Sequence, residues 1–385
     1  MADAKATGAG TPAPSAVSQP YDRVSDVNVI MTLIRPRPVL GLGNILILNP
    51  VTADADKDVK DGTDGDDIVK GILLRKVDSA TGAVYREYRN EDAVSIDYSS
   101  NNNIMSKVKT YFAQKKHSDR VAILDYDPTK ASDSLKAFWY FNWTFAIQAT
   151  SKIDADAQSL SNIFEANKDH FLVLQSSGVN DFSLVGGQNY TIGVKHDLSE
   201  AMDAALIGAI ATLTVGSITW KFKQLVGITP EVLTSTEVSG LNKLNVMAYE
   251  LVNSQGQTSE GKTMSGEYID TIHGIIWVRA TMQGKLENFL QDNGKVPYDQ
   301  TGITQLSGVV TQVLEQAYQQ GIIQQNEATG KGDYSVTASP RSAQSQVDLS
   351  NRHYGGLGFT YHAAGAIHTL TVNGEVDSDT ITKAA

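Results

Sequence analysis

The 385-residue chain contains no cysteine. That absence excludes disulfides, thiol nucleophiles and cysteine-ligated metals, and it fits a protein assembled in a cytosol. Long hydrophobic runs are missing as well. The longest candidate, AALIGAIATLTVG at 204–216, is too short to cross a bilayer. There is no excess of basic charge: 32 Lys and Arg stand against 43 Asp and Glu, a net charge of −11. A nucleic-acid or anionic-membrane binder needs clustered cations, so this balance argues against both. The start, MADAKATGAGTPAPSAVSQP, lacks the apolar stretch of a signal peptide. Its Ala, Gly, Pro and Ser content predicts a disordered segment over 1–20. No H-E-x-x-H, no G-x-S-x-G elbow and no tandem repeat occurs in the sequence.

What is present is enough apolar sequence, 41%, for a packed core in two or three domains. Good strand patterns lie close to both ends. DVNVIMTLI (26–34) alternates with Val27, Val29, Met31 and Leu33 on one face. GAIHTLTVNGEV (365–376) puts Leu370, Val372 and Val376 on one face and Thr369, Thr371, Asn373 and Glu375 on the other. Arg35-Pro36-Arg37-Pro38 cannot continue a hydrogen-bonded ladder, so it separates the first strand from the next, LGNILIL (42–48).

Between 100 and 215 helix and strand patterns alternate, which predicts an α/β unit with parallel pairs. NIMSKVKTYFAQKK reads as a helix, RVAILDYD as a buried strand and FWYFNWTFAIQAT as a long apolar strand. DADAQSLSNIFEANKDH reads as a helix capped by Asp154 or Asp156, FLVLQSS and NYTIGVKHDL as strands, and SEAMDAALIGAIATL as a helix. Trp139, Tyr140, Phe141 and Trp143 are expected in the core. From 216 the order changes. SITWKFKQLVGITP and LNKLNVMAYELV read as strands. A long helix starting near Ser265 carries Ile269, Ile272, Ile276, Met282, Leu286 and Leu290 on one stripe, with a gap at Arg279. A second helix over 303–320 turns Ile303, Leu306, Val310, Val313 and Ala317 inward and stops at Gly321. Residues 324–350 read as a polar loop, and GLGFTYHAAGAIHTLTVNGEV as a closing hairpin.

Three stretches invite a chemical reading. GQTSEGKT at 256–263 satisfies G-x-x-x-x-G-K-[ST], the phosphate-binding loop, through Gly256, Gly261, Lys262 and Thr263. Lys262 would reach the outer phosphates and Thr263 would hold magnesium. Against that, Gly266 interrupts any helix starting at the lysine, and no strand ending in a magnesium-binding Asp follows. The competing reading is a polar loop between strand and helix. DADKDVKDGTDGDD (54–67) resembles a calcium loop, but Val59 stands where the sixth-position glycine belongs; a solvated hairpin or loop fits better. The G-x-G of GLGNIL lacks a third glycine and a following helix. His353, His362 and His368 lie near one another in sequence, without metal-ligand spacing. No catalytic, metal or cofactor site emerges.

An ordered set of segments carries a family resemblance over about 25–376. The segments are KTYFAQKKHSDRVAIL, FWYFNWTFAIQAT with DAQSLSNIFEANKDHFLVLQSS, GSITWKFKQLVGITPEVLT, GEYIDTIHGIIWVRATMQGKLENFL, KVPYDQTGI and GAIHTLTVNGEV. Together the chain resembles the sheath proteins of contractile bacteriophage tails and phage-tail-like particles. The resemblance implies an α+β fold: a core of mixed sheet with two long helices, an inserted α/β domain and terminal strand arms. On that pattern 21–50 would be the N-terminal arm and first core strand, and 51–99 a variable acidic loop or β region. Residues 100–215 would be the insertion, turned outward. Residues 216–376 would complete the core toward the tube and carry a terminal arm, and 377–385 a flexible tail.

The resemblance further implies a structural subunit, not an enzyme, without cofactors. Its partners would be copies of itself in hexameric rings and a helical polymer, the tail tube protein, and baseplate and tail terminator proteins. Neither nucleic acid nor a membrane would be bound by the subunit. Strand arms would add to sheets in neighbours, and contraction would drive the tube through the host envelope. The product would be a virion tail assembled in the host bacterial cytoplasm, or equally the sheath of a bacteriocin or secretion system.

Overall fold

The computed structural model describes residues 43–51 and 61–374. In chain order the elements are β1 (Ile45–Pro50), α1 (Gly65–Val69), β2 (Ile72–Val77), β3 (Val84–Tyr88), α2 (Glu91–Tyr98), α3 (Asn102–Phe112), β4 (Val121–Tyr126), α4 (Ala131–Phe138), β5 (Phe145–Gln148), α5 (Ala155–Asn167) and β6 (Phe171–Ser176). They continue with β7 (Thr191–Lys195), α6 (Met202–Gly208), α7 (Ser235–Leu244), β8 (Met247–Val252), β9 (Gln255–Thr258), α8 (Ile269–Asp292), α9 (Gln300–Gln319), β10 (Tyr334–Ala338), α10 (Gln346–Ser350) and β11 (Leu357–Tyr361).

Strands rich in Ile, Leu, Val and Phe with no polar alternation must be covered on both faces. Such runs in β1, β4, β5 and β6 lie in a nine-stranded sheet of order β2-β3-β4-β1-β5-β6-β7-β8-β9. The sheet is parallel from β4 through β8 and antiparallel at its ends. Ile45, Ile47, Ile123, Phe145 and Val173 point to one face, under α2, α3, α6 and the start of α8. Leu46, Leu48, Leu124, Ala146 and Leu172 point to the other, under α4, α5 and α7. A third cluster lies apart from both: Trp277, Val278, Met282 and Leu286 of α8 meet Val310, Val313, Leu314 and Ala317 of α9, with β10 and β11 against them.

The α+β class, the mixed sheet and the two long helices agree with the sequence. Asp154 caps α5, Asp299 caps α9, and Gly321 ends α9 at φ 84°. A methyl at Gly302 would stand 1.9 Å from the Pro297 carbonyl oxygen, so the α8–α9 turn closes only around glycine. Trp139 and Trp143 are buried as expected, with Tyr140 and Phe141 packed against the same cluster.

Other expectations need correction. The long strand over 138–150 is only β5. Phe138 closes α4, and the following aromatics form a buried turn in which the Trp143 indole N–H donates to the Phe138 carbonyl at 3.0 Å. Apolar content without alternation does not distinguish the two. SITWKFKQLVGITP is not a strand. Phe222 takes a left-handed φ of 65°, which no ladder accepts, and this segment meets Thr258 through two backbone bonds and the Thr258 hydroxyl, which accepts from the Lys223 N–H and donates to the Trp220 carbonyl. In LNKLNVMAYELV, Leu241–Leu244 finish α7, Asn245 turns left-handed, and only then does β8 begin. The helix drawn through SEAMDAALIGAIATL shortens to α6. Leu290 is 41% exposed, so the α8 stripe ends at Leu286. Residues 324–350 are no loop: they hold β10 and α10.

The sheet also crosses the expected domain boundaries. β1, expected in the core, lies between β4 and β5 of the expected insertion, and β8 and β9 extend the same sheet beyond residue 215. β2 and β3, from the expected variable region, form its other end.

Within this body, buried Arg86 pairs with buried Asp125, which also accepts from Tyr98 and, at 2.6 Å, from the Asn49 amide. Removing one partner strands a charge in the interior. Arg86→Ala is expected to cost about 3–5 kcal/mol in urea unfolding, far above a surface substitution.

Candidate assembly surface

β10 and β11 form a separate two-stranded antiparallel sheet. Tyr334, Val336, Leu357, Phe359 and Tyr361 turn toward α8 and α9. Ser335 and Thr360 face solvent and hydrogen-bond across the pair at 2.8 Å. The bonds from His362 N–H to the Asp333 carbonyl and from Ser339 N–H to the Gly356 carbonyl set the ladder's alternation. The backbone groups of Val336 and Ala338 on one strand, and of Leu357 and Phe359 on the other, therefore point away from the pair. Among the described residues no strand covers either edge. Two strands alone are marginal in water, and unpaired edges are templates for another chain. The expected hairpin inside the closing segment is thus corrected: β11 pairs backward with β10, not forward with 365–376.

Beyond Ala364, whose N–H bonds the Ile322 carbonyl, residues 365–374 form no strand. The strand expected over 365–376 is absent in the described part because it has no ladder to join. Ile367, Leu370 and Val372 are 81%, 82% and 80% exposed. Val376, Val27, Val29, Met31 and Leu33 lie outside the described residues. The open edges of β10 and β11 are not anticipated by the sequence reading, which takes 324–350 as a polar loop. Their signal was present in YSVTA, where Tyr334, Val336 and Ala338 alternate with Ser335 and Thr337 between Gly332 and Pro340.

The phosphate-loop pattern does not form a phosphate loop. Gly256 lies within β9, and α8 begins only at Ile269, six residues past Thr263. Gly261 packs against Trp220. The Lys262 ammonium stands 5.3 Å from the centre of the Tyr268 ring. Thr263 is buried, with its hydroxyl bonded to Ser265 and to the Glu267 carbonyl. Lys262 lies beside Tyr268, the N-cap of α8, but the Gly261 carbonyl accepts from the Ile269 N–H, so the chain itself occupies that helix end.

Asp61, Asp64 and Asp67 in the described part of this stretch have structural partners. Asp61 meets Lys76 at 2.7 Å, which holds its carboxyl below the usual range. Asp64 and Asp67 form the capping box of α1. His362 pairs with Asp333 and His368 with Glu260, so the two serve different sites. No trio of metal-ligating side chains occurs among the described residues.

Residues 269–376, from α8 to the exposed segment, match the family described as E217 tail sheath protein gp31-like, C-terminal domain. The fold is similar to contractile-apparatus structures over nearly the whole chain. A chain of the six-fold symmetrised baseplate of the anti-feeding prophage superposes with a TM-score of 0.60 at 12% identity, covering 93% of this chain and 100% of that one. The sheath complex of an extracellular contractile injection system, PVC, in the contracted state gives 0.56 at 12%, covering 93% and 98%. The contracted helical sheath of the anti-feeding prophage gives 0.53 at 13%, covering 97% and 100%. No curated protein matches the sequence. The chain is similar to contractile-tail sheath proteins, by sequence in its last third and by fold almost throughout.

With Lys262 stacked on Tyr268 and no phosphate cradle, Lys262→Ala should leave nucleotide affinity unchanged. Isothermal titration with Mg–ATP is expected to give no binding heat for either protein; binding lost in the variant would restore the nucleotide reading.

Proposed function

We propose that this chain is a structural subunit of a contractile sheath. It polymerises as stacked hexameric rings around a tail tube and contracts to drive that tube through a host envelope. The observation that carries the proposal is the pairing of an unpartnered apolar segment, Leu370 and Val372, with a nearby two-stranded sheet open at both edges. Both lie inside the segment that matches the sheath C-terminal domain. Each subunit lends a terminal strand to the β10–β11 sheet of a neighbour, with residues 26–34 as the second arm. The related structures come from a helical sheath, a sheath complex and a six-fold baseplate, which supports a ring-forming role.

The energetics favour a lattice over a dimer. Adding one short strand forms roughly four to six backbone bonds at ~0.5–1.5 kcal/mol net each. Ordering the same residues costs about 1–2 kcal/mol apiece, so the bonds alone nearly cancel. Burying Leu370 and Val372 contributes roughly 1.5–3 kcal/mol each and tips the balance. Once a ring closes, every arm is held by the others, and weak links add up. During contraction the nine-stranded bodies move as near-rigid units while the arms remain joined as tethers. The energy is stored at assembly, so no nucleotide is consumed. The partners are other copies, the tube, and the baseplate and terminator proteins. The particle is a phage tail or a related bacteriocin or secretion apparatus.

Two variants test this. Deleting residues 1–34 is expected to leave a folded monomer that forms no cylinders in negative-stain micrographs. Leu370→Glu with Val372→Glu should do the same with unchanged melting, because both side chains are exposed in the isolated chain. Striated tubes of normal yield from either protein would refute strand exchange.

A further inference from the structure

One side chain of the exposed C-terminal segment is hydrogen-bonded to the body. His368 keeps only 7% of its side-chain surface, while its neighbour Ile367 keeps 81%. Its Nδ1 lies 2.5 Å from Glu260 Oε1 and its Nε2 2.7 Å from Thr219 Oγ1. The Tyr268 ring meets the imidazole edge-on with centroids 4.9 Å apart, and Phe222 stands at 6.4 Å. Three stretches supply the charges around it. Glu260 comes from the loop after β9, Asp270 from the first turn of α8, and Lys221 from the segment before β9, 3.7 Å from Glu260. Gly261 N–H donates to the same Glu260 oxygen at 3.1 Å.

Resting on the strand exchange proposed above, we infer that His368 clamps the base of the C-terminal arm to its own subunit and so fixes where the arm leaves the body toward a neighbour. Beyond the clamp, Leu370 and Val372 stay 82% and 80% exposed. A tether without an anchor samples many exit directions, whereas a side chain held at both ring nitrogens restricts them.

The Glu260 half of the clamp needs an ionised carboxylate to accept from His368 Nδ1; Thr219 Oγ1, at Nε2, also serves Asp270. Burial pushes the Glu260 carboxyl up, but the His368 bond, the Gly261 N–H and Lys221 outweigh it and leave it below the ordinary carboxylate value. A depressed carboxyl contributes its stabilisation above its unfolded pKa and loses it as pH falls through the folded one. The clamp holds through neutral and mildly acidic pH and opens only in stronger acid.

Because the chain has no cysteine, a nitroxide on Thr371→Cys reports the arm alone in the full-length monomer. His368→Ala is expected to shorten the label's rotational correlation time about threefold, and Glu260→Gln to shorten it in the same direction, with an unchanged far-UV spectrum. Without those substitutions the label should stay restricted from about pH 8 to 5.5 and loosen only below the ordinary carboxylate range. Equal mobility in all three proteins overturns the clamp, as does loosening near pH 6.5, which would assign the switch to the imidazole. The readout uses monomers, so it stands or falls separately from strand exchange, which the Leu370→Glu, Val372→Glu assembly assay decides.

Discussion

A strand edge that is not bonded must be bonded by something. Each exposed N–H and C=O along β10 and β11 is satisfied by water in the isolated chain and, under the strand exchange proposed here, by peptide in a lattice. The same constraint acts on residues 365–374, which have the alternation of a strand and no ladder to join. On that proposal one chain carries a donor and an acceptor of strand pairing that do not meet among its described residues. The remaining features of the molecule can be read as holding these two apart and presenting them.

The body supplies the rigidity. Its large sheet is covered on both faces, and two of its buried charge pairs are closed: Arg86 with Asp125, and Lys107 with Asp203 at 2.6 Å. Helix α8 starts against that sheet and ends in a separate cluster with α9, so it joins the body to the thin β10–β11 sheet as one continuous lever. A stiff body with adhesive edges suits a machine whose subunits move as units. A nucleotide site would need a flexible, glycine-rich cradle, and residues 256–263 are instead pinned by β9, Trp220 and Tyr268.

Much of this was legible in the sequence, for reasons that differ by element. Continuous apolar runs such as VAILDY and FLVLQS announced buried parallel strands. The stripe Ile269, Ile272, Ile276 announced α8, and Asp154 and Gly321 marked helix ends through local chemistry. The errors fell where tertiary contacts decide. The aromatic stretch 138–144 is as apolar as a strand but plugs the core as a turn. SITWKF has strand-like residues, yet Phe222 turns left-handed. Residues 365–374 have a strand's pattern, and pattern alone does not supply a partner. The division into core and insertion failed to anticipate that β1 sits inside the sheet of the segment thought to be inserted, because pairing between strands some 75 residues apart, as between Ile47 and Ile123, leaves no local mark.

The most direct measurement is a mixed disulfide trap. One population would carry Thr371→Cys, on the polar face of the arm, and another would carry Thr337→Cys or Thr360→Cys on the solvent face of the β10–β11 sheet. In assembled particles, facing cysteines on adjacent strands lie within about 4.5–5.5 Å. The account predicts a mixed dimer band on oxidation of co-assembled particles with one of the two pairs, and none from dilute monomers. Co-assembled particles that yield no mixed dimer with either partner, while Thr371→Cys remains freely alkylated, would contradict it.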